Sequence, residues 1–424
     1  MIDLNLNRMT GKPGMIFRNA TVLTMDNHQV LQHCDLRCRD GVITQIGPAL
    51  PVENDRVIDV SDRYIMPGLI DAHVHFDQDY MGAMFLAAGV TSVRNMRGYA
   101  GHNDRIRRIR EGKTKGPYVE STGPIFDGED PNIPENDNWI VHDFEDVEKG
   151  IAYTKAHGFR FVKTYPSIRD DVYRYLMRRC ADEDLPVSGH MTKTISHEEL
   201  ADLGYYCCEH SSSLPKEDDA IRYCAKAGMW YCPTQLVCET LPDYVWEGKR
   251  LENLEKWGSL PVCVQEEWLR RNQVISESYR QQGIRPDINV IIGRGRVFME
   301  HSDLVMAGSD CAYPGIIPGF ALWTELEKLV VLYGMTNEEA LLCATARPAR
   351  CMKLGGRKGR IVPGMDADLI ILKENPLSDI RNIATVGKVV CAGTVYTQDF
   401  LADELQRVHQ LKTVEKLEFG TDCM

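Results

Sequence analysis

Met66-Pro67-Gly68-Leu69-Ile70-Asp71-Ala72-His73-Val74-His75 is the stretch on which the fold turns. Its core, Ile65–Asp71, is a short apolar run that ends just before two histidines one residue apart. Short apolar runs of this kind read as strands covered on both faces, as in parallel sheets. On an extended chain, residues two apart point the same way. The imidazoles of His73 and His75 can therefore reach one ion.

Working outward, the same kind of run recurs at Gly89–Asn95, Tyr118–Thr122, Phe159–Thr164, Pro186–Gly189, Tyr205–Glu209, Trp230–Thr234 and Leu304–Gly308. Helical segments fall between them, for example Phe144–Ala156 and Asp170–Glu183. Strand–helix alternation is the pattern of parallel βα units. The expectation is an α/β protein with a (β/α)8 TIM-like barrel over residues 67–350. Thr336 and Glu339 have capping-box spacing before a helix at Ala340–Ala346, which Pro348 should stop. Gly123–His142, rich in Asp, Asn, Pro and Gly, reads as an ordered loop over the barrel mouth. Residues 235–302 read as mostly helical, with Trp246, Leu251, Leu254 and Trp257 as packing residues.

The flanks have strand character. Ile16–Met25 alternates, and Asp40–Gly41 marks a hairpin-type turn before Val42–Ile46. A turn at Gly359–Gly364, a strand at Ala367–Leu372 and a pair of strands around Gly393 follow the barrel. A small β-sandwich domain formed from both chain ends is expected, residues 1–66 and 351–424, the second part ending in a helical tail.

Active sites of barrels lie at the carboxyl ends of the strands. His73, His75, Lys163, His190, His210 and Asp310 all fall there. A lone histidine is more often packing or surface than ligand, and the other eight of the 12 histidines are read that way. The joint placement carries the metal reading. Lys163 ends an apolar run, where an unpaired ammonium is costly to bury. An ammonium has no lone pair, but a deprotonated lysine carboxylated by carbon dioxide becomes a carbamate able to bridge two cations.

These motifs resemble the signature of the amidohydrolase superfamily. The resemblance continues through Gly89-Val90-Thr91-Ser92-Val93-Arg94, Val162-Lys163-Thr164-Tyr165, Ser188-Gly189-His190, Glu209-His210, Ala307-Gly308-Ser309-Asp310 and Pro363-Gly364-Met365-Asp366-Ala367-Asp368-Leu369. It covers roughly residues 15 to 396, and its nearest branch is the imidazolonepropionase-related, Xaa-Pro-dipeptidase-like and ochratoxinase-like group. Asn95 stands where relatives often carry Asp, and Gly123–Pro131 replaces a loop usually rich in glycine and histidine.

The resemblance implies two divalent metal ions. His73, His75 and Asp310 would hold the more buried one, His190 and His210 the more exposed one, and N6-carboxylated Lys163 would bridge them. Histidine and carboxylate donors suit zinc. Metal-activated hydroxide would attack a carbonyl carbon, with Asp310 as the catalytic proton shuttle. Tyr165, Arg94, Gln235 and Tyr313 are the candidate substrate contacts, with packing as the alternative for Tyr165 and a structural salt bridge as the favoured alternative for Arg94. The expected activity is hydrolysis of an amide or peptide-like C–N bond in a dipeptide, N-acyl amino acid or cyclic amide. A deaminase of a heterocycle or guanidine-like substrate is the second reading, and a non-catalytic scaffold the third.

Composition agrees with an enzyme. The 424 residues are 43% hydrophobic and 26% charged, with a net charge of −12. An acidic surface disfavours nucleic-acid binding. No apolar run reaches membrane-spanning length, and Met1–Lys12 lacks a signal-type stretch. A cytoplasmic homo-oligomer acting on a small-molecule substrate is expected. The 14 cysteines are read as reduced, with Cys207 and Cys208 as buried inert thiols.

Overall fold

The barrel strands are short and wholly buried because helices cover their outer face. In the computed structural model, which describes residues 14–131 and 138–414, they follow one another around a ring. The order is Leu69–Val74, Val90–Asn95, Tyr118–Asp127, Phe161–Thr164, Val187–Gly189, Cys207–Glu209 and Trp230–Cys232, each parallel to the next. The Met1–Lys12 reading lies outside the described residues.

The eighth run, expected as a strand at Leu304–Gly308, closes the ring without forming a ladder of its own. Its hydrogen bonds pass from one neighbour to the other. Tyr231 N donates to Leu304 O at 2.9 Å and Met306 N to Tyr231 O at 2.9 Å; then Ala72 N donates to Ala307 O at 3.0 Å and Asp310 N to His73 O at 2.8 Å. The last of these fixes Asp310 beside the end of the first strand.

Two local expectations need correction. Residues 123–127 continue the third strand instead of opening a loop, and Phe126 and Asp127 pair with Trp139 and Ile140. The register against the fourth strand jumps from Phe161↔Thr122 to Lys163↔Ile125, so Gly123-Pro124 sits in a bulge. Gly and Pro fit such a site, which is why the pair reads as a loop in sequence. Residues 132–137 of the expected loop lie outside the described residues. Pro348 does not stop a helix: the capped helix is Asn337–Cys343, and Pro348 lies in the first turn of another, Ala346–Cys351. A missing N–H costs nothing there. The Thr336–Glu339 capping box is formed.

A second, mixed sheet is built from both chain ends. Strands Met15–Leu23, Val30–Arg39, Val42–Gly47, Arg56–Asp59 and Tyr64–Pro67 join Leu369–Leu372, Val386–Cys391 and Thr394–Thr397. The seam is Tyr64–Pro67, antiparallel to Leu369–Leu372. Phe17, Val22, Leu36, Ile65, Leu369 and Ile371 form its core. Asp40 and Gly41 both take positive φ, 49° and 72°, as a tight hairpin turn requires. Helix Gln398–His409 packs against helix Tyr80–Ala87 on the barrel. Among the described residues no helix is long and apolar enough to cross a membrane. Cys207 and Cys208 are buried free thiols.

Candidate metal centre

Each barrel strand ends where its last side chain turns over the ring. The six expected side chains meet at this end. Nε2 of His75 lies 3.1 Å from Oδ1 of Asp310, and Nε2 of His73 lies 3.3 Å from the same oxygen. Lys163 Nζ is 3.3 Å from His73 Nε2. The His210 ring lies 4.8 Å from that of His73 and 4.5 Å from that of His190. Three of these side chains, His73, His75 and Asp310, offer donor atoms within 4.8 Å of one another.

Partners behind the rings set which nitrogen faces the centre. His73 Nδ1 is 2.8 Å from Glu209 Oε2, so it donates there and leaves a lone pair on Nε2. Thr234 Oγ1 donates to Pro233 O, so it accepts from His210 Nδ1 at 2.7 Å, and the lone pair of His210 is on Nε2. Nδ1 of His75 is buried and has no hydrogen-bond partner. The lone pairs of His73 and His210 and the Asp310 carboxylate are thus acceptors at the centre, and a divalent cation satisfies such groups.

The electrostatics point the same way. Burial, with the nearby Lys163 charge, holds the His73 imidazolium well below its usual range. Burial pushes His210 down to about 4 and lowers His190 strongly. These rings are neutral at pH 7, as a ligand must be. Burial would raise the Asp310 carboxyl, but its contacts with His73, His210 and His75 outweigh that and leave it below the usual carboxylate range. Lys163 is buried in the ring, and desolvation pushes its amine down to about 8 against the pull of Asp310 and Glu209. It forms no ion pair with a carboxylate among the described residues.

The backbone is bent to bring these groups in. His210 and Asp310 take positive φ, 70° and 59°, conformations that non-glycine residues adopt at a cost and that gather at functional sites. Asp71 holds the Asp310 turn from below, accepting from Ser309 Oγ at 2.6 Å and Ser309 N at 2.9 Å. Gly308 leaves room for the first strand: a Cβ there would stand 2.7 Å from His73 Cβ and 2.9 Å from His73 N.

The candidate substrate contacts divide. Tyr165 stands at the centre, its ring 4.8 Å from His190 and 5.5 Å from Lys163 Nζ. Tyr313 is half-buried just after Asp310. Arg94 does not reach the mouth. It is fully buried beneath the centre, with Nη2 2.6 Å from Glu209 Oε1 and Nε 2.6 Å from Ala72 O. Gln235 is also fully buried, its amide committed to Tyr333 and Glu239. Both are committed to the protein's own polar groups, so the substrate-contact expectation is corrected for them.

Sequence reasoning gave no role to Glu209, Thr234 or Asp71. Glu209 carried the clearest signal, a carboxylate at the end of an otherwise apolar strand next to His210. His102, read as an ordinary histidine, is buried with Nε2 3.3 Å from Asp77 Oδ1, and the same carboxylate holds Arg97 at 2.7 Å.

Comparison with known proteins adds a family context. The sequence model of the amidohydrolase family matches residues 64–396. An imidazolonepropionase from Brucella anthropi is 25% identical over 415 residues, covering 86% of this chain and 93% of its own length. An ochratoxinase from Aspergillus niger is 22% identical over 455 residues, 90% of this chain and 87% of that protein. The structure of a Xaa-Pro dipeptidase with methionine in its active site superposes with a TM-score of 0.72 at 18% identity, covering 91% of this chain and 100% of that one. At that identity the likeness is one of fold.

Proposed function

The chain belongs to the amidohydrolase family, and on that premise we propose that this hydrolase of C–N bonds cleaves the amide of a dipeptide, an N-acyl amino acid or a cyclic amide at a two-zinc centre. His73, His75 and Asp310 would hold one ion and His190 and His210 the other, and Lys163, as a carbamate, would supply a ligand to both. One observation carries the reading: the buried Lys163 amine lies 3.3 Å from His73 Nε2, which is itself 3.3 Å from Asp310, and it forms no ion pair with a carboxylate among the described residues. An amine of pKa about 8 is neutral in about one copy in ten at pH 7, and the neutral form is the one that takes up carbon dioxide.

Bound cations would supply a water of lowered pKa and polarise the scissile carbonyl. The remaining work falls to the chain. Asp310, ionised beside His75, accepts a proton and returns it to the leaving nitrogen. Glu209 holds the His73 ring, and Thr234 that of His210, so neither donor set has to reorganise. Tyr165 closes one wall over His190, where its hydroxyl would meet a substrate carbonyl or carboxylate. The free cysteines among the described residues suit a reducing, cytoplasmic setting.

The test is a screen of zinc-loaded enzyme against dipeptides, N-acyl amino acids, cyclic amides and amino-substituted heterocycles, with metal analysis on the same preparation. Near two equivalents of metal and release of a carboxylate–amine pair are expected. Ammonia release from heterocycles alone, with one equivalent of metal, would overturn the proposal in favour of a deaminase.

A further inference from the structure

At the other end of the barrel lies a cavity of about 320 Å³, between the foot of the third strand and the mixed sheet. Tyr118, the first residue of that strand, lines it, whereas Ile125 near the far end pairs with Lys163. At the rise of an extended chain this separation is roughly 20 Å, so the cavity is distinct from the metal centre. Its volume is at the lower end of the range for small-molecule sites.

The charges around it do not cancel. Lys358 Nζ lies against Asp368 and 3.3 Å from Asp366, and Arg357 Nη2 is 2.9 Å from Asp366. Those two carboxylates are therefore occupied by two cations. Lys115 pairs at the rim with Glu404 at 3.2 Å. Arg110 also lines the cavity and forms no ion pair among the described residues. One fixed positive charge is left over, in a chain whose net charge is −12.

The walls between these charges are flat and apolar. Tyr118, Tyr396, Phe400 and Ile109 contribute to them. Lys358 Nζ stands 4.7 Å from the centre of the Tyr118 ring, and Lys115 Nζ 5.3 Å from that of Phe400. A cation over a ring face is a stable arrangement that also leaves ring edges for a ligand to pack on. A phosphate dianion does not suit the site. Arg110 ends helix Ala100–Arg110, whose carbonyl end is negative, and Asp366 and Asp368 line the same space. A monoanion with a flat apolar body matches both the single excess charge and the walls.

We propose that this cavity is a second ligand site, which takes a small aromatic or heterocyclic monocarboxylate, with Arg110 pairing the carboxylate and Phe400 and Tyr396 packing on the ring. The site stands apart from the hydrolytic reading and does not depend on it.

The test titrates the full-length metal-loaded protein with 2-naphthoate and, separately, with its neutral analogue 2-naphthalenemethanol, by calorimetry. One saturable naphthoate site is expected, with the alcohol at least about tenfold weaker, the scale of one charge-assisted pair. Arg110→Gln and Phe400→Ala should each weaken naphthoate by about tenfold, while unliganded turnover and metal content stay at wild-type values. Absence of saturable binding, equal affinity for the alcohol, or naphthoate affinity unchanged in both variants would overturn the proposal; the last result would place the ligand at the metal centre instead.

Discussion

His73 Nδ1 lies 2.8 Å from Glu209 Oε2, and the other oxygen of that carboxylate lies 2.6 Å from Arg94 Nη2. All three side chains are fully buried. The chain Arg94–Glu209–His73 thus holds a carboxylate against a guanidinium in the barrel interior and points its other oxygen at one ring nitrogen. A carboxylate behind a metal-binding imidazole fixes its tautomer and raises its basicity.

Glu209→Gln should keep the fold but weaken this orientation. Metal affinity is expected to drop by about 10–100-fold, with turnover recovering at high zinc. Metal titration followed by assay checks it. Unchanged affinity would mean that the carboxylate serves only to neutralise Arg94.

Lys163→Ala removes the only amine in the ring of donors. Activity is expected to be lost, and short carboxylic acids such as acetate are expected to restore part of it by filling the vacated space. Native mass spectrometry of the wild type should show one added carbon dioxide. A high-resolution structure with Lys163 unmodified and turned away from bound metals would sink the carbamate.

Asp310→Asn keeps the size and one donor oxygen of the side chain but cannot carry a proton. Metal content should largely persist, while kcat falls by about 10²–10⁴, the range for losing a general acid–base. Turnover and metal measured on one preparation decide between a shuttle and a mere ligand. Parallel loss of both would leave only the ligand role.

Gly308→Ala should disturb the centre without touching a donor atom. The new methyl would sit 2.6 Å from Cys232 Sγ and 2.7 Å from His73 Cβ. Overpacking of this kind costs about 1–3 kcal/mol, so a lower melting temperature and weaker metal retention are expected together. A variant with wild-type stability and metal content would show that the first strand can move aside.

Glu325 should contribute stability that falls as pH rises from about 5 to 7, against the buried neutral histidines, whose contribution rises over the same range. Burial raises the Glu325 carboxyl to about 7, against the backbone N–H groups of Leu236 and Gln235 that favour its ionised form. An unfolded Glu titrates near pH 4.3. Between those values the folded chain holds a proton that the unfolded chain has lost, so the stabilisation is complete below the lower value and gone above the upper. The stability of the wild type relative to Glu325→Gln in urea titrations should therefore fall across pH 5–7.5, and a difference that does not change with pH would remove Glu325 as its source.

Much of this geometry was readable in the sequence because it is local. The six donors stand at the ends of five apolar runs, His73 and His75 sharing one, and a barrel brings all strand ends to one rim, so position along the chain specifies position in space. The roles of Arg94 and Gln235 are hard to read for the opposite reason. Arg94 also ends a strand, but what decides its role is Glu209, 115 residues further on, and nothing near Arg94 announces that pairing. Gly123-Pro124 carries loop chemistry and is used for a bulge, because the same backbone freedom serves both. Pro348 reads as a terminator until the short helix that begins at Ala346 is known.

The seam between Tyr64–Pro67 and Leu369–Leu372 imposes an order of events on synthesis. The chain leaves the ribosome from its N-terminus, so the first strand of that seam emerges about 300 residues before its partner. Through that interval it has an open hydrogen-bonding edge, a template for pairing with other chains. The barrel emerges entirely within the interval and can gather its strands from near neighbours, each pairing with the next. The mixed sheet is completed last, when strand Leu369–Leu372 settles beside a strand that has been waiting since the start. A nascent chain halted between Cys351 and Leu369 would therefore carry both a formed barrel and an unpaired edge, the combination that makes a partial product hazardous to its neighbours.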